Sequence, residues 1–125
     1  PQDRSSAASD VYKRQRRGLT PERKRRFFRE AGNRWQISEG LLASIEYSQI
    51  NLCDERPPLP QFDLILLRNV LIYLTEEARQ QVQTEVARVL APNGVLILGA
   101  TESLDESSLF HRDRQLATPC YRLAR

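Results

Sequence analysis

A chain of 125 residues, with 40% apolar and 28% charged residues, has the length and composition of a single soluble globular domain. No apolar stretch is long enough for a membrane helix or arranged like a signal peptide, and Cys53 and Cys120 lack the spacing of metal ligands. These features predict a reduced, cytoplasmic protein without a metal site and without direct insertion into a membrane.

The net charge of +3 is unevenly distributed along the chain. Residues 1–34 hold eleven Lys or Arg residues and four acids, so the remainder is net acidic. The basic residues within 13–17 and 23–26 could bind phosphates or an acidic protein surface. Because no known nucleic-acid-binding motif accompanies them, we favour a solvated helix face or a disordered arm, and we expect no nucleic-acid partner.

The first 15 residues form a polar segment, rich in Ser and Ala, with neither helical nor strand periodicity. Residues 5–15 also resemble translated sequencing-adapter sequence. We therefore interpret residues 1–15 as a disordered or artefactual tail and residues 16–125 as the domain.

A helix is predicted over residues 21–31, because Thr20 is a suitable N-cap and proline occupies the first helical position. It should end before Gly32, which can adopt the left-handed conformation. Apolar and polar residues then alternate through Ile37, and residues 38–43 could form one further helical turn.

Two strands are predicted in the middle of the chain. Residues 44–52 alternate Ile45 and Tyr47 with polar partners, which is typical of a strand. The prolines within 57–60 then require an extended loop. Residues 62–67 are apolar except for Asp63, which predicts a strand buried on both faces.

The second half of the chain has the pattern of a β-α-β unit. Thr75 can cap a helix that begins with two glutamates and runs to about Leu90, with valines at helical spacing. Residues 91–94 break this helix, and residues 95–98 return as a short strand parallel to the previous one. Residues 121–123 are predicted to close the sheet as an edge strand, with Phe110 anchoring the preceding loop.

Polar side chains follow both strands of this unit. Arg68 and Asn69 come after the first strand, and residues 100–104 come after the second. Carboxyl ends of parallel strands meet at one edge of a sheet, where α/β proteins bind ligands, so we expect one shared crevice. Structural roles are the alternatives: Arg68 could pair with Asp63 or cap a helix, Asn69 could start the next turn, and Tyr73 could be part of the core.

The stretch Phe-Asp-Leu-Ile-Leu-Leu-Arg-Asn-Val-Leu-Ile-Tyr-Leu, at 62–74, resembles a motif of the CheR-type chemotaxis-receptor protein-glutamate methyltransferases. The resemblance extends in register from about Leu19 to Leu123. It includes the Leu-Thr-Pro at 19–21, the Asn-Leu at 51–52 and the Pro-Asn-Gly at 92–94. Departures are Leu67 in place of the family's usual Cys, Leu74 in place of a frequent Phe, and Ala-Thr at 100–101 in place of a frequent His-Ser.

This resemblance implies an α/β fold: the C-terminal portion of a class I, Rossmann-like, S-adenosylmethionine-dependent methyltransferase domain whose first sheet strands are missing. The residues that match the family's cofactor contacts are Asn51, Leu52, Arg68 and Asn69. Arg68 would also orient a carboxylate in catalysis, and Tyr73 would lie near the transferring methyl. The implied reaction is methylation of glutamates on methyl-accepting chemotaxis receptors or related signalling proteins.

Two other functions remain as alternatives: a non-catalytic interaction module, and a nucleotide-binding α/β domain with another reaction. The five glycines of the chain form no cluster that could let a backbone approach a cofactor closely. We therefore expect the 125 residues alone to bind S-adenosylmethionine weakly or not at all, and to be inactive alone.

Overall fold

The computed structural model describes residues 19–54, 58–104 and 109–124, so the predicted tail and the basic residues within 13–17 lie outside the described residues. The chain divides into two units, Pro1–Gln49 and Ile50–Arg125. The helices and strands are α1 (Pro21–Phe27), β1 (Phe28–Ala31), β2 (Arg34–Ile37), α2 (Glu39–Ala43), β3 (Phe62–Leu67), a 3₁₀ turn (Leu71–Tyr73), α3 (Glu76–Val89), β4 (Leu90–Leu98), β5 (Phe110–Arg112) and β6 (Cys120–Leu123).

The first unit begins with α1, whose start is as predicted. The hydroxyl of Thr20 accepts a hydrogen bond from the backbone N–H of Arg23, and proline occupies the first turn. The helix ends at Phe27 rather than at residue 31, so its predicted length is wrong. The next four residues form β1, which pairs antiparallel with β2.

A two-residue turn explains why β1 replaces the end of the predicted helix. Gly32 occupies the first turn position with φ +64°, the geometry of a type II′ hairpin turn. The hairpin satisfies backbone groups that a continued helix would have bonded internally, and Arg29 donates across it to Gln36. Pairing with the neighbouring strand has therefore overridden local helix propensity.

The predicted helical turn after the hairpin is confirmed as α2. Ser38 caps it by accepting a hydrogen bond from the backbone N–H of Leu41 at 3.4 Å. Residues 44–52, in contrast, do not form the predicted strand, and Tyr47 and Ile50 are exposed. Among the described residues no strand pairs with this segment, and alternation alone does not stabilise a strand without a ladder partner.

The second unit contains a four-stranded mixed sheet in the order β3-β4-β6-β5. The predicted β-α-β unit is confirmed: β3 and β4 are parallel, and α3 connects them from its Thr75 cap to Val89. β4 starts at Leu90, earlier than the predicted residue 95, and its register shifts between Phe62 and Leu64 of the partner strand.

The strand predicted at 121–123 is present, but it does not lie at the edge. β6 lies between β4 and β5, and β5 forms the edge instead. An ion pair of 3.0 Å between Arg122 and Asp113 fastens the β5–β6 hairpin. The hairpin therefore adds a strand that the short apolar signal around Phe110 did not predict.

The core of the second unit lies between α3 and one face of the sheet. Leu90, Leu96 and Leu98 of β4 are at most 1% exposed, and Val82 of α3 is 1% exposed. Burial of each such side chain stabilises the fold by about 1.5–3 kcal/mol. The cluster comprises Leu67, Leu71, Val82, Val86, Leu90, Leu96, Leu98, Phe110 and Tyr121.

The other face of β3 is exposed, so the prediction of a strand buried on both faces is wrong. Leu64 is 53% exposed and Leu66 is 64% exposed, while the alternate residue Leu67 is buried. β3 is an edge strand whose described neighbours include a helix on one face only, and side chains on the opposite face therefore meet solvent.

Candidate functional site

The polar residues that follow β3 and β4 lie side by side, as the sequence predicted. The two strands are parallel, with Leu67 opposite Leu98, so Asn69 and Gly99 leave the sheet at the same edge. A Cβ atom added to Gly99 would collide with the side-chain oxygen of Asn69. The two strand ends are therefore in direct contact, and glycine is required at residue 99 for this approach.

The carboxylate of Glu102 joins the two strand ends. Its Oε1 accepts hydrogen bonds from the backbone N–H groups of Asn69 at 2.5 Å and Gly99 at 2.9 Å. Its Oε2 accepts one from the backbone N–H of Leu71 at 3.1 Å. One side chain thus satisfies three backbone donors on two separate segments.

Glu102 is buried, with 6% of its surface exposed. Burial raises the pKa of its carboxyl, but the backbone N–H donors around it outweigh this effect, and the pKa lies below its ordinary value of 4.5. Glu102 is therefore a charged, fully bonded group at neutral pH. The sequence had placed it only within the polar segment 100–104, and an acid three residues after a strand-terminal glycine was the available signal.

Asn69 adopts φ +60°, and it is the one described non-glycine residue with a positive φ. Asparagine tolerates this left-handed conformation better than most residues. The conformation turns the chain sharply after β3 and lets the amide side chain lie against Gly99. Asn69 does precede the 3₁₀ turn, so the structural alternative for this residue is compatible with the geometry.

Arg68 and Tyr73 are both exposed to solvent. Tyr73 lies at the end of the 3₁₀ turn and is 81% exposed, so the alternative that it belongs to the core is wrong. Within the described parts of the chain Arg68 forms no ion pair, with Asp63 or with another acid. Both side chains are therefore free to contact a ligand or a neighbouring molecule.

The Asn51–Leu52 corner is fixed by a different set of contacts. Asn51 accepts a hydrogen bond from the backbone N–H of Cys53 at 3.0 Å, and Leu52 packs against the core. The amide of Gln81 on α3 donates to the carbonyl of Cys53 at 2.7 Å. Within the described residues, these contacts tie the corner to α3, whereas those of Asn69 lead to Gly99 and Glu102.

Two further observations bear on the class of site. None of the helices described in the structure is both long enough and apolar enough to cross a membrane. The described residues also contain no group of three His, Cys, Asp or Glu side chains placed to hold a metal ion.

Comparison with known proteins gives the family. The family model described as "CheR methyltransferase, SAM binding domain" matches residues 4–117. A chemotaxis protein methyltransferase of Vibrio parahaemolyticus is 42% identical over 89 residues, which cover 70% of this chain and 32% of the relative. Chemotaxis protein methyltransferase 1 of Pseudomonas aeruginosa is 38% identical over 90 residues, which cover 71% of this chain and 33% of the relative.

A chemotaxis protein methyltransferase of Listeria monocytogenes is 33% identical over 95 residues, covering 76% of this chain and 36% of the relative. The chain spans about a third of the length of the curated relatives it matches. Its α/β architecture with a mixed sheet agrees with part of a Rossmann-like methyltransferase fold. The resemblance drawn from the sequence is confirmed: the chain belongs to the CheR methyltransferase family, in its S-adenosylmethionine-binding domain.

Proposed function

We propose that this chain is part of an enzyme that methylates glutamate carboxylates of chemotaxis receptors in the cytoplasm, with S-adenosylmethionine as the methyl donor. The family match and the names of the relatives support this proposal. The structural observation that carries it is the junction of Arg68 and Asn69 with Gly99 and Glu102 at the carboxyl edge of the parallel pair β3–β4.

Arg68 at this edge, and Asn51 and Leu52 at the separate corner beside α3, have side chains whose chemistry suits S-adenosylmethionine. The exposed guanidinium of Arg68 suits a carboxylate, since its planar fork can donate two parallel hydrogen bonds. Asn51 is also exposed, and its amide can donate to a polar edge of the cofactor while its oxygen accepts from Cys53. Leu52, which is partly buried, would present its remaining apolar surface to the adenine.

The glycines of the described residues do not supply a close backbone approach to the cofactor. Gly32 lies in the hairpin turn and Gly40 lies in α2. The space beside Gly94 is filled by Leu90, at 2.6 Å from an added Cβ, and the space beside Gly99 is filled by Asn69 and Glu102. These positions support the expectation that the 125 residues alone bind the cofactor weakly.

The proposed reaction makes small demands on reactive side chains. The bound cofactor supplies an activated methyl group on a sulfonium. The acceptor carboxylate, with a pKa of about 4.3, is ionised at neutral pH without a general base. The chain's own contribution would then be positioning: Arg68 would hold a carboxylate, and the ring of Tyr73 would lie beside the positive sulfur.

A two-step assay tests the proposed function. The protein is produced with the coding sequence upstream of Pro1 restored, titrated with S-adenosylmethionine, and then incubated with radiolabelled cofactor and receptor cytoplasmic domains. We expect both binding and base-labile methyl label on receptor glutamates. Binding without transfer would favour the non-catalytic module, and absence of binding would refute the assignment.

The 125-residue chain has its own test by calorimetric titration. We expect weak or absent heat of binding for S-adenosylmethionine. Micromolar affinity would contradict this expectation, and it would mean that the described strand ends form a sufficient site.

A further inference from the structure

We propose that Glu102 is a positioning residue of the cofactor site, which holds the segment from Arg68 to Leu71 against Gly99 and so fixes the direction of the Arg68 side chain. Glu102 itself faces the protein interior rather than solvent. Its role would therefore be exerted through the segment that it bonds. The consequence for the cofactor depends on the proposed function, whereas the effect on the segment does not.

The geometry of the three hydrogen bonds requires a carboxylate. Two donors, from Asn69 and Gly99, converge on Oε1, and a third, from Leu71, reaches Oε2. An ionised carboxylate has two acceptor oxygens and no hydrogen, so it can accept all three. A glutamine amide has the same shape, but its NH₂ group would face a backbone donor at one of these places.

The segment after β3 depends on this bonding because its backbone is unusual. Asn69 pays a conformational cost for φ +60°, and such a residue persists when its surroundings over-determine it. The hydrogen bonds from the N–H groups of Asn69 and Leu71 to one carboxylate hold the backbone of Asn69 in this conformation. Gly99 completes the arrangement, since a side chain there would displace both Asn69 and Glu102.

Arg68 connects this arrangement to the ligand. It is bonded covalently to Asn69, it is exposed, and within the described ranges it has no ion-pair partner that would orient it. The backbone at the β3 exit therefore sets the direction in which the Cα–Cβ bond of Arg68 leaves the chain. Loss of the hydrogen bonds to Glu102 would free this backbone. Arg68 would then keep its charge but would no longer be oriented by the segment.

NMR on the 125-residue chain tests the local effect. In E102Q we expect the exchange rates of the Asn69, Leu71 and Gly99 amides to rise by about tenfold or more, with a changed three-bond coupling at Asn69. Amides in the middle of α3 should keep their rates. E102D, which keeps the charge and shortens the side chain by one methylene, should affect the same three amides less, and it carries the test if E102Q does not fold.

D113N is the matched control. Like Glu102, Asp113 accepts a backbone hydrogen bond, from Gln115 at 3.0 Å. It lies in the β5–β6 hairpin, where it pairs in addition with Arg122. The control should raise exchange at Gln115 and leave Asn69 unchanged. Unchanged exchange at Asn69, Leu71 and Gly99 in E102Q would overturn the inference.

Titration with S-adenosylmethionine, in the protein with its upstream coding sequence restored, tests the consequence. We expect about tenfold or greater loss of affinity in E102Q and an unchanged affinity in D113N. Faster exchange with unchanged affinity would overturn the positioning role. If the unsubstituted protein does not bind the cofactor, the proposed function fails, while the NMR result still decides whether Glu102 holds the segment.

Discussion

Substitution of Gly99 by alanine should disrupt the strand-end junction more than any other single-methyl change in the second unit. An added Cβ would lie 2.7 Å from Glu102 Oε1 and would collide with the side-chain oxygen of Asn69. Glu102 Oε1 cannot retreat freely, because it accepts two backbone hydrogen bonds. Overpacking costs about 1–3 kcal/mol, and loss of a hydrogen bond to a charged group costs about 1.5–3 kcal/mol. If both terms apply, the expected loss is about 2.5–6 kcal/mol of the free energy of unfolding.

Urea denaturation followed by NMR peak intensities of the second unit measures this loss. Gly94→Ala is the matched steric control, since an added Cβ there would lie 2.6 Å from Leu90 Cδ1. Gly94 lies in the middle of β4, away from the carboxyl end that Glu102 follows. It should also destabilise the unit, but with normal protection of the Asn69 amide. Gly40→Ala, which has open space around an added Cβ, should be neutral or stabilising by up to about 1 kcal/mol. A G99A protein of unchanged stability, with unchanged protection at Asn69, would refute the close packing described here.

Three more predictions follow from the exposure and charge of single residues. The stability of the second unit should decrease as the pH falls below about 4.5, because the pKa of Glu102 is lower in the folded than in the unfolded state. The ionised Glu102 contributes its full stabilisation at a pH above its unfolded-state pKa. This stabilisation is lost as the pH falls through its folded-state pKa. Urea titrations between about pH 6 and pH 2 should show a shallower dependence in E102Q, and an identical slope would contradict this reasoning. Arg68→Ala should change stability by less than about 0.5 kcal/mol but lower cofactor affinity in the upstream-extended protein by about tenfold or more, as calorimetry can measure. Leu66→Lys should leave the free energy of unfolding nearly unchanged in urea titrations, whereas Leu67→Ala on the buried face should lower it by about 2–5 kcal/mol; a large loss in L66K would mean that this face is covered.

Local signals were sufficient to predict the elements that position the site. The bounds of β3 follow from a run between Gln61 and Arg68 that is apolar except for Asp63. The start of α3 follows from Thr75, whose hydroxyl accepts from Ala78 as a capping residue should. Because both signals lie within a few residues of the element, no tertiary information was needed.

Elements that depend on pairing with another segment were predicted less well. Residues 28–31 have helical character, but they pair with residues 34–37, and residues 44–52 alternate correctly but have no described partner. Glu102 was missed as a site residue because the donors that it serves at Asn69 and Leu71 are 33 and 31 positions away. The roles of Asn51, Leu52, Arg68, Asn69 and Tyr73 toward the cofactor remain predictions.

The position of Trp35 has a practical consequence for spectroscopy. It is the one tryptophan of the chain, it lies in the unit Pro1–Gln49, and the ammonium of Lys24 lies 4.2 Å from the centroid of its ring. Indole fluorescence will therefore respond to opening of the α1–β2 region, while circular dichroism averages over both units. If the units melt independently, the two signals will have different midpoints in the same sample.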